Sequence, residues 1–127
     1  MIKGIGIDSV EQDRISKIFH KYGEKFENRI LGSSEKREFD LKKNDHQKIR
    51  YLSNNFAAKE AFSKALGLGF REGVSPQEIE LLRNSRGKPY IKLKGSTKNI
   101  AERLNFKNVS VTVTDTSSLS TAFVIGE

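Results

Sequence analysis

The chain has 127 residues, no cysteine, and 23 Lys and Arg against 16 Asp and Glu, giving a net charge of +7. The missing cysteines exclude a disulfide scaffold, a thiolate nucleophile and a zinc–cysteine site, and the short apolar runs exclude a membrane-spanning helix. A single domain over residues 1–127 is expected at this length, placed in the cytoplasm because no signal-peptide stretch opens the sequence.

Residues 1–8 read as a strand in which Ile5 and Ile7 alternate with Gly4 and Gly6, so one face is stripped of side chains. Ser9 with Gln12, or Asp8 with Glu11, makes a capping-box pattern. It predicts a helix to about Tyr22 with Val10, Ile15, Ile18 and Phe19 inward. A short helix around Phe26, Ile30 and Leu31 and a polar one over about 35–43 follow. The strongest helical pattern spans 46–68 and ends at Gly67 and Gly69. Its second half is apolar except for Lys59, Glu60, Ser63 and Lys64, which helical spacing puts on one narrow stripe.

Strands at 77–83 and 89–94, joined by Asn84-Ser85-Arg86-Gly87, give a hairpin signal. A short amphipathic helix over about 97–104 comes next. Val109, Val111 and Val113 then alternate with Ser110, Thr112 and Thr114, and a turn at 115–118 leads into a last strand at 119–125. That strand is apolar on both faces, as for one deep in a sheet or in an oligomer core. The sum is an α+β domain, a mostly antiparallel sheet packed with a long central helix.

The positive charge is local. Residues 82–107 carry eight basic side chains and one acid, Glu102. Such a segment attracts nucleic acid, phosphate-rich cofactors or an acidic protein. A nucleic-acid-binding domain is the weaker reading, because only Tyr90 offers a stacking surface among the basic strands. With His20 and His46 alone, a histidine-rich metal site is not expected.

Two acids stand in unusual surroundings. Asp8 ends a strand of glycines and isoleucines at the mouth of a helix, where it is either an N-cap or a ligand. Glu60 lies on an otherwise apolar helix, where it is either half of an i, i+4 pair with Lys64 or part of a site. Ser63 is read as a small polar residue. In the functional alternative Asp8 and Glu60 share a divalent cation, since magnesium is usually held by one or two carboxylates plus waters and substrate phosphates. Two carboxylates facing a pyrophosphate would repel it, at about 3 kcal/mol per unit pair at ~6 Å and an effective dielectric of ~20. A cation removes that repulsion, and Lys64, one turn on, can offset charge on a phosphate oxygen.

Gly4-Ile5-Gly6-Ile7-Asp8 with Val10-Glu11 and Arg14-Ile15 resembles the opening of the holo-acyl-carrier-protein synthases, the small trimeric phosphopantetheinyl transferases. Arg29-Ile30-Leu31 with Glu35 is similar to their second block. Phe56-Ala57-Ala58-Lys59-Glu60-Ala61-Phe62-Ser63-Lys64-Ala65-Leu66-Gly67 is similar to their main signature almost letter for letter. Gly87-Lys88-Pro89 and the valine-rich closing hairpin resemble their later blocks. The resemblance covers essentially the whole chain.

It implies transfer of 4′-phosphopantetheine from coenzyme A to a serine of apo acyl carrier protein, with release of adenosine 3′,5′-bisphosphate, in fatty acid biosynthesis. Asp8 and Glu60 would hold magnesium, and Lys64 would contact the phosphates and help the leaving group. No histidine is placed to act as base, which leaves a carboxylate or a water on the cation as proton acceptor. Arg86, Gly87, Lys88 and Pro89 would reach the coenzyme A site from a neighbouring subunit of a homotrimer. The carrier would dock on the first helix, through Arg14, Lys17, Ile18 and Lys21. No nucleic acid or membrane is implied as a partner.

The sequence departs from the family at two positions that face coenzyme A. Asn55 stands where the family has arginine, and Asp115 where it has histidine. An acid at 115 would repel a phosphate unless Lys88, Arg86 or a cation offsets it. Gly32-Ser33-Ser34-Glu35 also lacks the family's capping hydroxyl, at a cost of about 1 kcal/mol at most. The alternative to an active enzyme is a non-catalytic homologue that only binds carrier protein.

Overall fold

The computed structural model describes residues 1–127. Strand β1 (Gly4–Glu11) leads into helices α1 (Gln12–Tyr22), α2 (Glu24–Ile30), α3 (Ser33–Asp40) and the long α4 (Asp45–Leu66). A 3-10 turn at Pro76–Glu78 opens the hairpin β2 (Ile79–Arg83) and β3 (Pro89–Leu93). Helix α5 (Gly95–Arg103) and the hairpin β4 (Val109–Asp115) and β5 (Leu119–Gly126) complete the chain. The α+β class and the element order are as expected. The strands form two antiparallel sheets rather than one, with orders β1-β5-β4 and β2-β3. The core lies between the larger sheet and α4, where Ala57, Ala58, Ala61, Phe62, Ala122 and Val124 are wholly buried.

The first expectation to fail is the start of α1. Neither capping box forms. The ladder with β5 continues through Asp8↔Ala122 to Glu11↔Leu119, so residues 8–11 stay extended. Ser9 Oγ hydrogen-bonds Thr121 Oγ1 at 2.8 Å instead of capping a helix. Glu11 sits at the N-cap with no side-chain hydrogen bond. The Gln12 amide holds the helix start, donating to Thr116 O at 3.2 Å. A pairing partner contributed from 104 residues away outcompetes a local cap. At the other long helix the local signals do hold. Asn44 Oδ1 accepts from Gln47 N at 2.9 Å, and Gly67 ends α4 at φ +81°.

Gly4 and Gly6 let β1 lie directly on α4. A Cβ on Gly6 would stand 1.9 Å from Ala61 O, and one on Gly4 2.0 Å from Ala65 O. The opposite face of the strand carries Ile5 and Ile7, 60% and 59% exposed.

The polar stripe on α4 is not one solvated stripe. Lys59 and Ser63 are buried, Glu60 is half-buried and Lys64 is exposed. Lys59 Nζ donates to Glu35 Oε1 at 2.6 Å, to Pro76 O at 3.0 Å and to Ile79 O. Glu35 also accepts from Gly32 N, Leu81 N and Asn55 Nδ2. Burial pushes the Glu35 carboxyl up and the Lys59 ammonium down, and the partner charge opposes each shift. The hydroxyl missing at position 32 is replaced by Glu80 on β2, whose Oε2 accepts from Ser34 N at 2.8 Å and Glu35 N at 3.1 Å. Glycine is required there, since a Cβ would meet the Glu80 side chain at 2.6 Å.

Removing one partner of a buried pair strands the other charge. Lys59→Met is therefore expected to lose about 3–5 kcal/mol of stability, read from the urea midpoint, and Lys59→Met with Glu35→Leu to recover part of it. A second prediction concerns acid. Burial raises the carboxyls of Glu78 and Glu80, but hydrogen bonds outweigh it. These come from Thr97 and Ser96 at Glu78, and from Lys94, Glu35 N and Ser34 N at Glu80, so both groups lie below their ordinary 4.5. A carboxylate depressed in the folded state stabilises fully above its unfolded pKa and loses that contribution as pH falls through the folded one. Thermal melts should be flat in this respect above pH ~5 and fall steadily below pH ~4.5.

Candidate active site

Asp8 lies within β1 on the same face as Gly4, Gly6 and Val10, turned toward α4. It is neither the end of the strand nor a helix cap. Because Gly6 touches the Ala61 carbonyl, Asp8 comes against the turn of α4 that carries Glu60 and Lys64. Lys64 Nζ donates to Asp8 Oδ1 at 2.9 Å and to Ile7 O at 3.0 Å. The lysine thus pairs across to the strand rather than back along the helix to Glu60. The Glu60 carboxyl is pushed above its usual range, first by burial and then by the charge of Asp8, while Lys64 and Arg14 pull it down. Ser63 donates to Glu60 O at 2.7 Å and takes no further part.

A half-buried carboxyl at Glu60 that feels the charge of Asp8 makes, with it, a donor set suited to a hard divalent cation. No third His, Cys, Asp or Glu joins them, and magnesium commonly uses one or two carboxylates with substrate phosphates completing its shell. The histidines lie elsewhere. His20 on α1 hydrogen-bonds Asp45 at 2.9 Å, and His46 is 14 residues before Glu60, about 21 Å along the helix.

A groove of about 670 Å³ opens along the N-terminal half of α4, with Lys42, Lys43, Arg50, Asn54 and Arg83 among its lining. Asp115 stands beside these residues. Its Oδ1 pairs with Arg50 Nε at 3.0 Å, and its Oδ2 accepts from Asn54 Nδ2 at 3.0 Å. Burial raises its carboxyl, but Asn54, Arg50 and the nearby Arg83 outweigh that and hold it below the usual range. Within the chain the charge at 115 is therefore offset by Arg50, a partner outside the set of Lys88, Arg86 or a cation that the sequence suggested. Asn55 lies at the inner wall of this groove, 2% exposed, with its amide donating to Glu35 Oε2 at 2.7 Å, which ties it to the buried network.

Arg86, Gly87 and Lys88 lie in the exposed β2–β3 turn, where Asn84 Oδ1 accepts from the nitrogens of residues 86 and 88, and Pro89 opens β3 beside it. No hydrogen bond or ion pair joins this turn to Asp8, Glu60 or Lys64 within one chain. On α1, Arg14, Lys17 and Lys21 are exposed and Ile18 half-buried. Arg50 and Asn54 escaped the sequence reading. Their i, i+4 spacing was visible, but the Asn54–Asp115 contact spans 61 residues.

The 4′-phosphopantetheinyl transferase superfamily model matches residues 4–123. A holo-[acyl-carrier-protein] synthase of Blochmanniella pennsylvanica is 42% identical over 127 residues, covering 100% of this chain and 99% of that one. The crystal structure of the synthase from Neisseria meningitidis superposes with a TM-score of 0.93 at 36% identity, covering 100% of this chain and 99% of that one. The Bacillus anthracis synthase, solved in complex with coenzyme A (3′,5′-ADP), gives a TM-score of 0.83 at 32% identity, covering 100% and 97%. By the family match over residues 4–123, the full-length identity and the superposition, the chain belongs to the holo-[acyl-carrier-protein] synthases, enzymes of the phosphopantetheinyl transferase superfamily.

Proposed function

We propose that the protein transfers 4′-phosphopantetheine from coenzyme A to the serine hydroxyl of apo acyl carrier protein in the cytoplasm, releasing adenosine 3′,5′-bisphosphate. The observation that carries this reading is the meeting of Asp8, Glu60 and Lys64 across the β1–α4 contact. Asp8 and Glu60 would hold magnesium, which when bound would neutralise pyrophosphate charge and polarise the attacked phosphorus. Lys64 would stabilise charge on the departing phosphate oxygens. The serine would attack in line, so most of the catalytic work is positioning and charge stabilisation.

The cationic groove of Lys42, Lys43, Arg50 and Arg83 suits the adenosine bisphosphate end of coenzyme A. It begins about 9 Å along α4 from Glu60, counting from Asn54. Arg50 and Arg83 supply the positive charge that position 55 lacks, and Asp115 holds Arg50 in place. Arg14, Lys17 and Lys21 around Ile18 offer a basic face with an apolar centre, complementary to an acidic carrier. The influence of the Arg14 charge on Glu60 supports a carrier face close to the site.

The outer face of the larger sheet carries Ile5, Ile7 and Phe123 at 60%, 59% and 36% exposure. An apolar sheet face of this kind marks an interface. We assign it to copies of the same chain in a homotrimer, where the Arg86–Pro89 segment of one subunit would reach the site of the next.

Two measurements test this reading. Incubated with coenzyme A, magnesium and apo acyl carrier protein, the enzyme should add the mass of one phosphopantetheinyl group to the carrier by mass spectrometry. The gain should vanish with EDTA and fall at least ~10²-fold in Asp8→Ala; carrier binding without transfer would instead mark a non-catalytic homologue. In light scattering the wild type should run as a trimer and Ile7→Glu with Phe123→Glu as a monomer lacking transfer.

A further inference from the structure

The Lys64 ammonium lies where a cation bound to Asp8 would have to act. It sits 2.9 Å from Asp8 Oδ1 and 3.0 Å from the Ile7 carbonyl. The Asp8 side chain is 17% exposed and that of Lys64 52%, so the lysine covers the carboxylate from the solvent side and is free to swing away. Arg14, the other cation that influences Glu60, makes no hydrogen bond or ion pair in the chain. Of the two, only Lys64 is committed to the carboxylates.

A dication at 2.0–2.1 Å from a carboxylate oxygen of Asp8 would stand close to the ammonium hydrogen-bonded to Oδ1, and the repulsion between the like charges favours release of the lysine. Lysine suits a movable role. It is a compact point charge on a four-carbon stem with three rotatable donors, two of which are used here. We propose that Lys64 is the counter-ion of the metal-free site, displaced from Asp8 when the cation enters and passed to the substrate's phosphate, so that cation and phosphate bind cooperatively. The inference rests on the reading of Asp8 and Glu60 as metal ligands. Displacing Lys64 weakens cation binding when no phosphate is there to receive it. The freed ammonium strengthens phosphate binding once the cation is in place, and by reciprocity the phosphate strengthens the cation by the same factor.

The test is calorimetric titration of Mn²⁺ into the metal-free protein, alone and with inorganic pyrophosphate, in wild type, Lys64→Gln and Arg14→Gln. Lys64 is exposed, so the variant should keep its fold, which a thermal melt checks. With Mn²⁺ alone, Lys64→Gln should bind about tenfold more tightly than wild type, a gain of ~1.4 kcal/mol. Pyrophosphate should then raise Mn²⁺ affinity in wild type and Arg14→Gln by a larger factor than in Lys64→Gln. Equal or weaker Mn²⁺ binding by Lys64→Gln would overturn the exchange, as would Arg14→Gln matching Lys64→Gln in both titrations. Absence of Mn²⁺ binding in all three proteins would remove the metal site itself, and the exchange with it.

Discussion

The backbone contact between β1 and α4 governs the rest of the molecule. Two glycines, two residues apart on one face of a strand, bring that strand to within a Cβ of the Ala61 and Ala65 carbonyls. No other residue type permits so close an approach. The strand's period of two then fixes everything else on it. Asp8 must point to the helix because Gly4 and Gly6 do, and Ile5 and Ile7 must point away. One geometric decision thus builds the carboxylate pair on the inside and the apolar face on the outside.

The contact needs a helix that cannot roll. Lys59 and Glu60 are neighbours in sequence and roughly 100° apart around α4. One enters the buried network, while the other is left half-buried beside Asp8. The Glu35–Lys59 pair, with Glu80 and Asn55 around it, ties α4 to α3, to the Pro76 turn and to β2. A well-satisfied polar network of this kind favours one packing arrangement over its competitors. Structural and functional charge are separated by the width of a single residue.

Much of this was legible in the sequence. The alternation of glycine and isoleucine in β1 and the apolar second half of α4 with Glu60 and Lys64 on it are local patterns, and local patterns survive folding. Asp8, 56 residues from Lys64, was joined to them by charge chemistry and the family resemblance. What escaped the reading depends on distant partners. The capping boxes at residues 8–12 lost to a ladder with β5. Lys59 was grouped with Glu60, Ser63 and Lys64 on one stripe because its partner, Glu35, lies 24 residues away. Asn55 looked like a ligand-facing substitution, yet it is a buried amide serving Glu35. Asp115 looked unpaired until Arg50 and Asn54 met it across the fold. In each case the residue type was informative and its direction was set by tertiary contacts.

The most direct test of the account is the crystal structure of the wild-type protein with Mn²⁺ and coenzyme A, with the metal located by anomalous scattering. The account predicts one anomalous peak within ligation distance of both Asp8 and Glu60, with the Lys64 ammonium withdrawn from Asp8 onto a phosphate oxygen. A manganese ion bound elsewhere, or Lys64 still on Asp8 beside the bound metal, would contradict it.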